Sequence, residues 1–248
     1  MYTKNFSFSI QRISLLTCIA LTVVNDPKCP ILSYVIDLLP LRCAYEAVKG
    51  LHLQELLHHI QKSERILLTT HRDADGDGLG SQIALYHALK KIGKNVSIHN
   101  VDPMPKKYEK LIDKRLLHIY QEHQQLPHFD LALVFDTNDQ RLVEPLFSNL
   151  ETQGSRIFFI DHHPILKQGP KPKNFFIDMK AASTGEIVFK LIDALNVPLD
   201  TPIANALYTS LVFDTQLFRY TRASSFSHEM ALKLFPHLYR PEDIHRHL

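Results

Sequence analysis

The sequence predicts an α/β fold with a mostly parallel central sheet and helices on both faces, and three observations carry that prediction. From residue 51 onward, short aliphatic runs alternate with helical repeats, and residues 65–99 give the order strand, loop, helix, strand. Three aliphatic runs end in a polar group: ILLTT at His71, LALVF at Asp136 and IFFI at Asp161. Ligands of open α/β sheets bind beyond the carboxyl ends of the strands, so these endings predict one shared site. The 248 residues, 45% hydrophobic and 22% charged, suffice for a sizeable core in one large domain or two small ones.

Residues 1–50 read as an extension of unknown role, and residues 51–248 as one regularly patterned domain. The apolar stretch 13–24 follows Lys4 and Arg12 and has the length of a signal-peptide core, short of the roughly 20 residues that span a bilayer. No small-residue cleavage site follows it, so the expectation is a cytoplasmic protein without a membrane segment. Cys18, Cys29 and Cys43 all lie in this extension, which leaves the remainder without a thiol for a disulfide, a zinc knuckle or a nucleophile.

Leu53, Leu56, Leu57 and Ile60 recur at helical spacing, and residues 65–70 follow as a buried strand. Residues 71–78 form a loop. Ile83, Tyr86, Leu89 and Ile92 then repeat every three or four positions until Gly93 closes the helix, and residues 95–99 make the next strand. Strands at 131–135 and 156–160 bracket a helix opening near Leu142. Helices are expected at 184–195 and 202–212, with a last short strand including Phe218 and Tyr220. Gly169, Pro170 and Pro172 make residues 167–173 a loop.

A formal charge of +2 and a pI near 8.3 lack the basic excess of a protein that holds nucleic acid by charge alone. Any nucleotide contact is therefore local, and no stable duplex binding is expected. Several carboxylates gathered at strand ends repel one another, and burying them unpaired costs several kcal/mol each. A cation resolves that conflict. In HRDADGDGLGS, Asp75 and Asp77 point to one side if the loop is extended, and Gly76 and Gly78 allow a tight bend. The competing reading is a polar turn with Asp77 at a helix N-terminus, where a negative charge is favoured. The dense cluster at 71–77, echoed by Asp136, Asp161, His162 and His163, favours the metal reading.

THRDADGDGLGS, VFDTND, IDHHP, ASTGEIV and ALYTSLVFDTQLFRYT together resemble the successive motifs of the DHH phosphoesterase family, in order, from about residue 51 to the end. The branch most similar is the bifunctional oligoribonuclease and phosphoadenosine phosphate phosphatase type. The resemblance implies a first ion on His71 and Asp75, Asp136 bridging to a second, and Asp77, His162 and Asp214 completing the second sphere. It implies Asp161 supporting these ligands and His163 contacting the scissile phosphate. Two Mn²⁺ ions are the implied cofactor, with Mg²⁺ or Zn²⁺ compatible with the same ligand types. The implied activity is hydrolysis of short oligonucleotides or of 3′-phosphoadenosine 5′-phosphate by two-metal activation of water.

Other residues carry weaker signals. Ser183, Thr184 and Glu186 fit a capping box better than a substrate contact. Arg141, Arg219 and Arg222 are candidates to grip phosphate, Arg219 foremost, and His228 is a candidate substrate contact on an amphipathic helix. Lys106, Lys107, Lys110 and Lys114 read as a solvated helix face. The family normally continues into a smaller lobe, DHHA1, with a glycine-rich motif, whereas all eight glycines here lie at or before Gly185. The expectation is thus a DHH domain without that lobe. Hydrolysis of pyrophosphate or a cyclic dinucleotide, and a catalytically idle metal-binding domain, remain alternatives; a homodimer is allowed for.

Overall fold

The computed structural model describes residues 41–170, 172–222 and 225–247, with side chains from His52 onward. The apolar stretch 13–24 and the three cysteine side chains lie outside the described residues. The chain divides into two compact units, residues 1–51 and 52–248, and the sheet belongs to the second.

Helix α1 (Leu41–Lys62) leads into β1 (Arg65–Thr70), followed by α2 (Gly76–Lys91), β2 (Asn95–Asn100) and a short β3 (Leu117–Ile119). Next come β4 (Leu131–Phe135), α3 (Leu146–Thr152), β5 (Arg156–Asp161) and β6 (Phe175–Ile177). Helices α4 (Thr184–Ala194), α5 (Thr201–Asp214), α6 (Phe226–Leu234) and α7 (Pro241–Arg246) complete the described elements. The strands form one sheet in the order β3-β2-β1-β4-β5-β6, every pair parallel. This is the doubly wound arrangement, and strand order reverses between β1 and β4.

The aliphatic runs make strands because both faces of the sheet are buried, so no polar alternation is needed. Ile66, Leu68, Leu131, Leu133, Phe135 and Ile160 face the helices α1, α2, α4 and α5. Leu67, Ala132, Val134 and Phe159 alternate to the other face, against α3. Among the described residues no helix is long and apolar enough to cross a membrane.

Four details differ from the sequence expectation. The strand expected around Phe218 and Tyr220 does not form: Gln216, Leu217 and Phe218 have φ of 47, 58 and 68°, a left-handed run no strand can contain. The helix expected near Leu142 is a single 3₁₀ turn, Gln140–Val143. Pro145 forces Glu144 into extended backbone (φ −71°, ψ 146°), and α3 opens only beyond it. The lysines expected on one helix face sit around two one-turn 3₁₀ helices, Lys106–Tyr108 and Lys114–Leu116. Strands β3 and β6 were not foreseen, because three residues are too few to display a period.

Candidate metal centre

The reversal of strand order opens a crevice between the ends of β1 and β4, and the predicted groups gather there. His71 follows β1, Asp136 follows β4, and Asp161 ends β5 with His162 and His163 beyond it. Asp75 and Asp77 arrive at the start of α2, and Asp214 at the end of α5.

The two aspartates of the first motif do not share an extended loop. Asp75 is the N-cap of α2, accepting from the N–H groups of Asp77 (2.9 Å) and Gly78 (3.2 Å), and Asp77 lies in the first turn. Gly76 and Gly78 are needed for space rather than for a bend: neither has positive φ. A Cβ on Gly78 would stand 2.3 Å from Thr70 Oγ1, and one on Gly76 would stand 2.8 Å from the Phe213 ring.

Ligand atoms fall into two trios, His71 with Asp75 and Asp136, and His162 with Asp77 and Asp214, and Asp136 also lies close to His162. His71 Nε2 lies 3.5 Å from Asp136 Oδ2 and 4.0 Å from Asp75 Oδ1. His162 Nε2 lies 3.0 Å from Asp214 Oδ2, 3.5 Å from Asp77 Oδ2 and 3.6 Å from Asp136 Oδ1. Asp136 thus turns one oxygen toward each histidine, from a backbone with φ of 62°, a left-handed conformation that aspartate tolerates better than most residues. A further grouping joins Asp136, His162 and His163.

The imidazoles are oriented alike. His71 Nδ1 lies 2.7 Å from the Arg72 carbonyl, and His162 Nδ1 lies 3.2 Å from the Ala181 carbonyl. A carbonyl only accepts, so each Nδ1 carries a proton, which turns Nε2 toward the carboxylates as the nitrogen that would ligate an ion once it is deprotonated. For His162 the consequence is sharp: Nε2 is buried and makes no aligned hydrogen bond, although three carboxylates surround it. Donor atoms about 2.0–2.2 Å from a common cation lie roughly 3–3.6 Å apart, which is the spacing from His162 Nε2 to its three carboxylates. The residues therefore fit a divalent ion in a way that they do not fit one another.

The surrounding protein supports the anions. Asp77, fully buried, accepts from the N–H groups of Thr184 (2.7 Å) and Gly185 (3.2 Å) at the N-terminus of α4, and from the hydroxyls of Ser81 and Ser210. Thr184 Oγ1 donates to Asp136 Oδ1 at 3.0 Å. Asp161 accepts from the backbone N–H groups of His162 (2.8 Å) and His163 (3.1 Å) and from Asn138 Nδ2 (2.6 Å), and pairs with His163 Nδ1 at 2.8 Å.

Burial, reinforced by Asp77, Asp75 and Asp214, pushes the Asp136 carboxyl well above the usual carboxylate range. Burial and Asp214 push Asp77 up to about 6 against the pull of His162 and Ser210. Burial opposes charge on His162, yet Asp214 and Asp77 outweigh it and raise its pKa. Burial also works against Asp161, but the His163 and Asn138 donors hold its carboxyl below the ordinary value. Three carboxylates and a histidine with such opposed tendencies mark a site built for a cation.

The other candidates are placed elsewhere. Arg141 spends its guanidinium on Asp139, with contacts of 2.7–3.1 Å. Arg222 donates to the carbonyls of His162 (3.1 Å) and Met179 (2.8 Å), bracing the loop that carries the histidines. Arg219 is exposed, and His228 stacks on Phe218 with ring centroids 5.1 Å apart. Ser183 caps α4 as expected, accepting from the Glu186 N–H at 3.3 Å. Sequence reasoning missed Asn138, Ser210 and the hydroxyl of Thr184. The available signal was small polar residues inside otherwise apolar or motif segments, TND and YTSLV.

A family model described as "DHH family, N-terminal domain" matches residues 65–211. The chain is 28% identical over 162 residues to the bifunctional oligoribonuclease and PAP phosphatase NrnA of Thermus thermophilus, covering 64% of this chain and 46% of that protein. It is 25% identical over 177 residues to the uncharacterized protein MJ0988 of Methanocaldococcus jannaschii, covering 69% and 51%. The chain thus spans about half the length of these curated relatives. Among solved structures, an exopolyphosphatase-related protein from Bacteroides fragilis superposes with a TM-score of 0.71 at 21% identity, covering 80% of this chain and 60% of that one, a likeness of fold.

Proposed function

This chain belongs to the DHH family, and on that premise we propose that it is a metal-dependent phosphoesterase acting on short oligonucleotides or on 3′-phosphoadenosine 5′-phosphate. The observation that carries the reading is the pair of ligand trios brought together by Asp136, with three carboxylates converging on the buried His162 Nε2. His71, Asp75 and Asp136 would hold one divalent ion, and Asp77, His162, Asp214 and the other oxygen of Asp136 the second. A pair of divalent ions, Mn²⁺ by preference and Mg²⁺ as the substitute, supplies Lewis acidity toward phosphoryl oxygens and activation of water.

The chain's own residues do the rest. Asp161 fixes the His163 ring by its Nδ1, so Nε2 points outward from a half-exposed side chain in the cleft. From there it can donate to a phosphoryl oxygen or to the departing oxygen as negative charge develops. No protein nucleophile is required, and none of the described residues at the site is a cysteine.

The test is hydrolysis by the purified chain with Mn²⁺ of a 5′-phosphorylated dinucleotide, of 3′-phosphoadenosine 5′-phosphate, of a cyclic dinucleotide and of pyrophosphate, with Asp136→Asn as the control. Release of mononucleotide or phosphate from the first two, lost in the control, supports the reading. Turnover of pyrophosphate alone, or tight Mn²⁺ binding with no turnover of any substrate, overturns it.

A further inference from the structure

Residues 101–113, in the connection from β2 to β3, lie outside all of the family-like motifs, yet they reach the His71 side of the crevice. Asp73 stands midway between His71 and Asp75 and has φ of 54°, a left-handed turn between the two candidate ligands. Asp102 Oδ2 accepts from the Asp73 N–H at 2.8 Å. From the other side, the Arg72 N–H donates to the Leu142 carbonyl at 2.7 Å, and its guanidinium donates to the Glu144 carbonyl at 2.9 Å. The loop that carries both ligands is thus clamped between the connections after β2 and β4, and Asp102 is the clamp on the β2 side.

Tyr108, on the same segment, is fully buried. Its hydroxyl lies beside the Asp75 carboxylate and the Gly76 N–H but makes no aligned hydrogen bond. Buried hydroxyls are nearly always paired, so an orphan calls for a partner. Packing holds the phenol in place: its ring meets the Phe213 ring edge-on, with centroids 6.5 Å apart, and Lys107 Nζ lies 4.8 and 5.1 Å from the two centroids. Full burial rules out contact with a substrate in the crevice. Burial and the Asp75 charge raise the phenol above its ordinary range, so it stays a donor. His162 Nε2 is the buried, unpaired atom of the second trio, and the Tyr108 hydroxyl is its counterpart beside the first.

We infer that Asp102 and Tyr108 are positioning residues for the first ion's ligands: Asp102 fixes the turn between His71 and Asp75, and the Tyr108 hydroxyl becomes a donor to Asp75 once that carboxylate turns to an ion. The inference rests on the metal-centre reading and adds to it a segment that contributes no ligand of its own.

The test follows Mn²⁺ binding to the full chain by calorimetry without substrate, with His71→Ala marking the step that belongs to the first trio. Tyr108→Phe keeps the ring and removes only the hydroxyl. It should weaken the His71-dependent step about tenfold, the lower end for groups that orient metal ligands, and leave the other step within about twofold. Because the substitution deletes an unpaired buried hydroxyl, the metal-free variant should melt no lower than the unaltered chain, a combination that a purely structural role would not give. Asp102→Ala should weaken the same step, and Asp102→Asn, which keeps an oxygen for the Asp73 N–H, should restore most of it. Unchanged affinity in Tyr108→Phe, a metal-free Tyr108→Phe chain that melts clearly lower, losses shared equally by both steps, or an asparagine variant as impaired as the alanine one overturns the inference and leaves the metal centre standing. An unaltered chain that takes up no Mn²⁺ sinks the metal centre and the inference together.

Discussion

Thr184 tests whether the arrangement around the candidate ions is designed or incidental. Its backbone N–H donates to Asp77 Oδ2 at 2.7 Å and its hydroxyl to Asp136 Oδ1 at 3.0 Å, so one residue contacts a carboxylate from each candidate sphere. Thr184→Val keeps the N–H bond and the β-branched shape and removes only the hydroxyl. A hydrogen bond to a charged group is worth about 1.5–3 kcal/mol. Burial already drives Asp136 toward its neutral form, whereas an ion requires the anion, so losing a donor to that anion lowers ion affinity. At about 1.4 kcal/mol per decade, the loss corresponds to roughly 10- to 100-fold weaker Mn²⁺ binding, the range for residues that orient metal ligands. Calorimetric titration of the metal-free chain at pH 7 reads the affinity and stoichiometry, and thermal unfolding checks the fold. Thr184→Ser should restore most of the loss by returning the hydroxyl. Wild-type affinity in the valine variant, or a serine variant as impaired as the valine one, refutes the argument.

Three further outcomes follow from the packing. Gly80→Ala should cost about 3 kcal/mol, at the upper end for overpacking, because its Cβ would lie 2.5 Å from the Ala206 carbonyl oxygen and 2.8 Å from the Ser210 nitrogen, backbone atoms that cannot turn aside. Gly76→Ala, which meets only the Phe213 side chain, should cost less, and urea unfolding showing the reverse order would contradict the reasoning. Asn138→Ala removes the tie between Asp161, Pro164 and Leu166; the Leu166 amide should exchange with deuterium much faster, and unchanged protection would show that the loop holds itself. His99 is 5% exposed and stacks on His118, and burial together with that neighbour lowers its pKa to about 4. The unfolded chain then binds an extra proton between about pH 6.5 and 4, so stability falls as pH drops through that window, by about 2 kcal/mol between pH 7.5 and 5. His99→Phe should remove that part of the acid sensitivity, measured as the difference between variant and wild type in urea at the two pH values; parallel losses would refute it.

How much of this was legible follows from the kind of signal each residue gives. The aliphatic runs of β1, β4 and β5 announce themselves because both sheet faces are buried, and their polar ends mark the crevice before any coordinate exists. Strand β6, three residues at an edge, gives no period, and the 3₁₀ turn before Pro145 imitates a helix start. At the site, aspartates and histidines in dense motifs are visible because such groups are costly to gather without a purpose. Arg141 and Arg222 look like phosphate ligands in sequence, and only the structure shows their donors turned to Asp139 and to backbone carbonyls. Thr184 was hidden for a different reason. Its place beside a helix N-cap was already explained, and the second use of its hydroxyl depends on Asp136, 48 residues away in sequence.

The support given to the carboxylates is uneven, and the unevenness has a direction. Asp75 and Asp77 take backbone N–H groups at the starts of α2 and α4, Asp161 takes two N–H groups, and Asp136 takes a hydroxyl. Helix N-termini favour the anions that they meet. Asp214 instead closes α5, at the end of a helix where a negative charge is disfavoured, and its described contact is His162 Nε2 at 3.0 Å. A carboxylate placed against its own helix dipole, with no backbone N–H donor described for it, is held less firmly by the fold than the others. The first trio and the bridge are thus held ready by the fold, whereas the corner containing Asp214 depends most on a cation. If two ions bind, the protein should fill the His71 side first, and occupancy of the His162 side should respond most steeply to metal concentration. Stepwise Mn²⁺ titration of wild type and Asp214→Asn decides the matter: the substitution should abolish the weaker binding step and spare the tighter one, and loss of the tighter step would reverse this assignment.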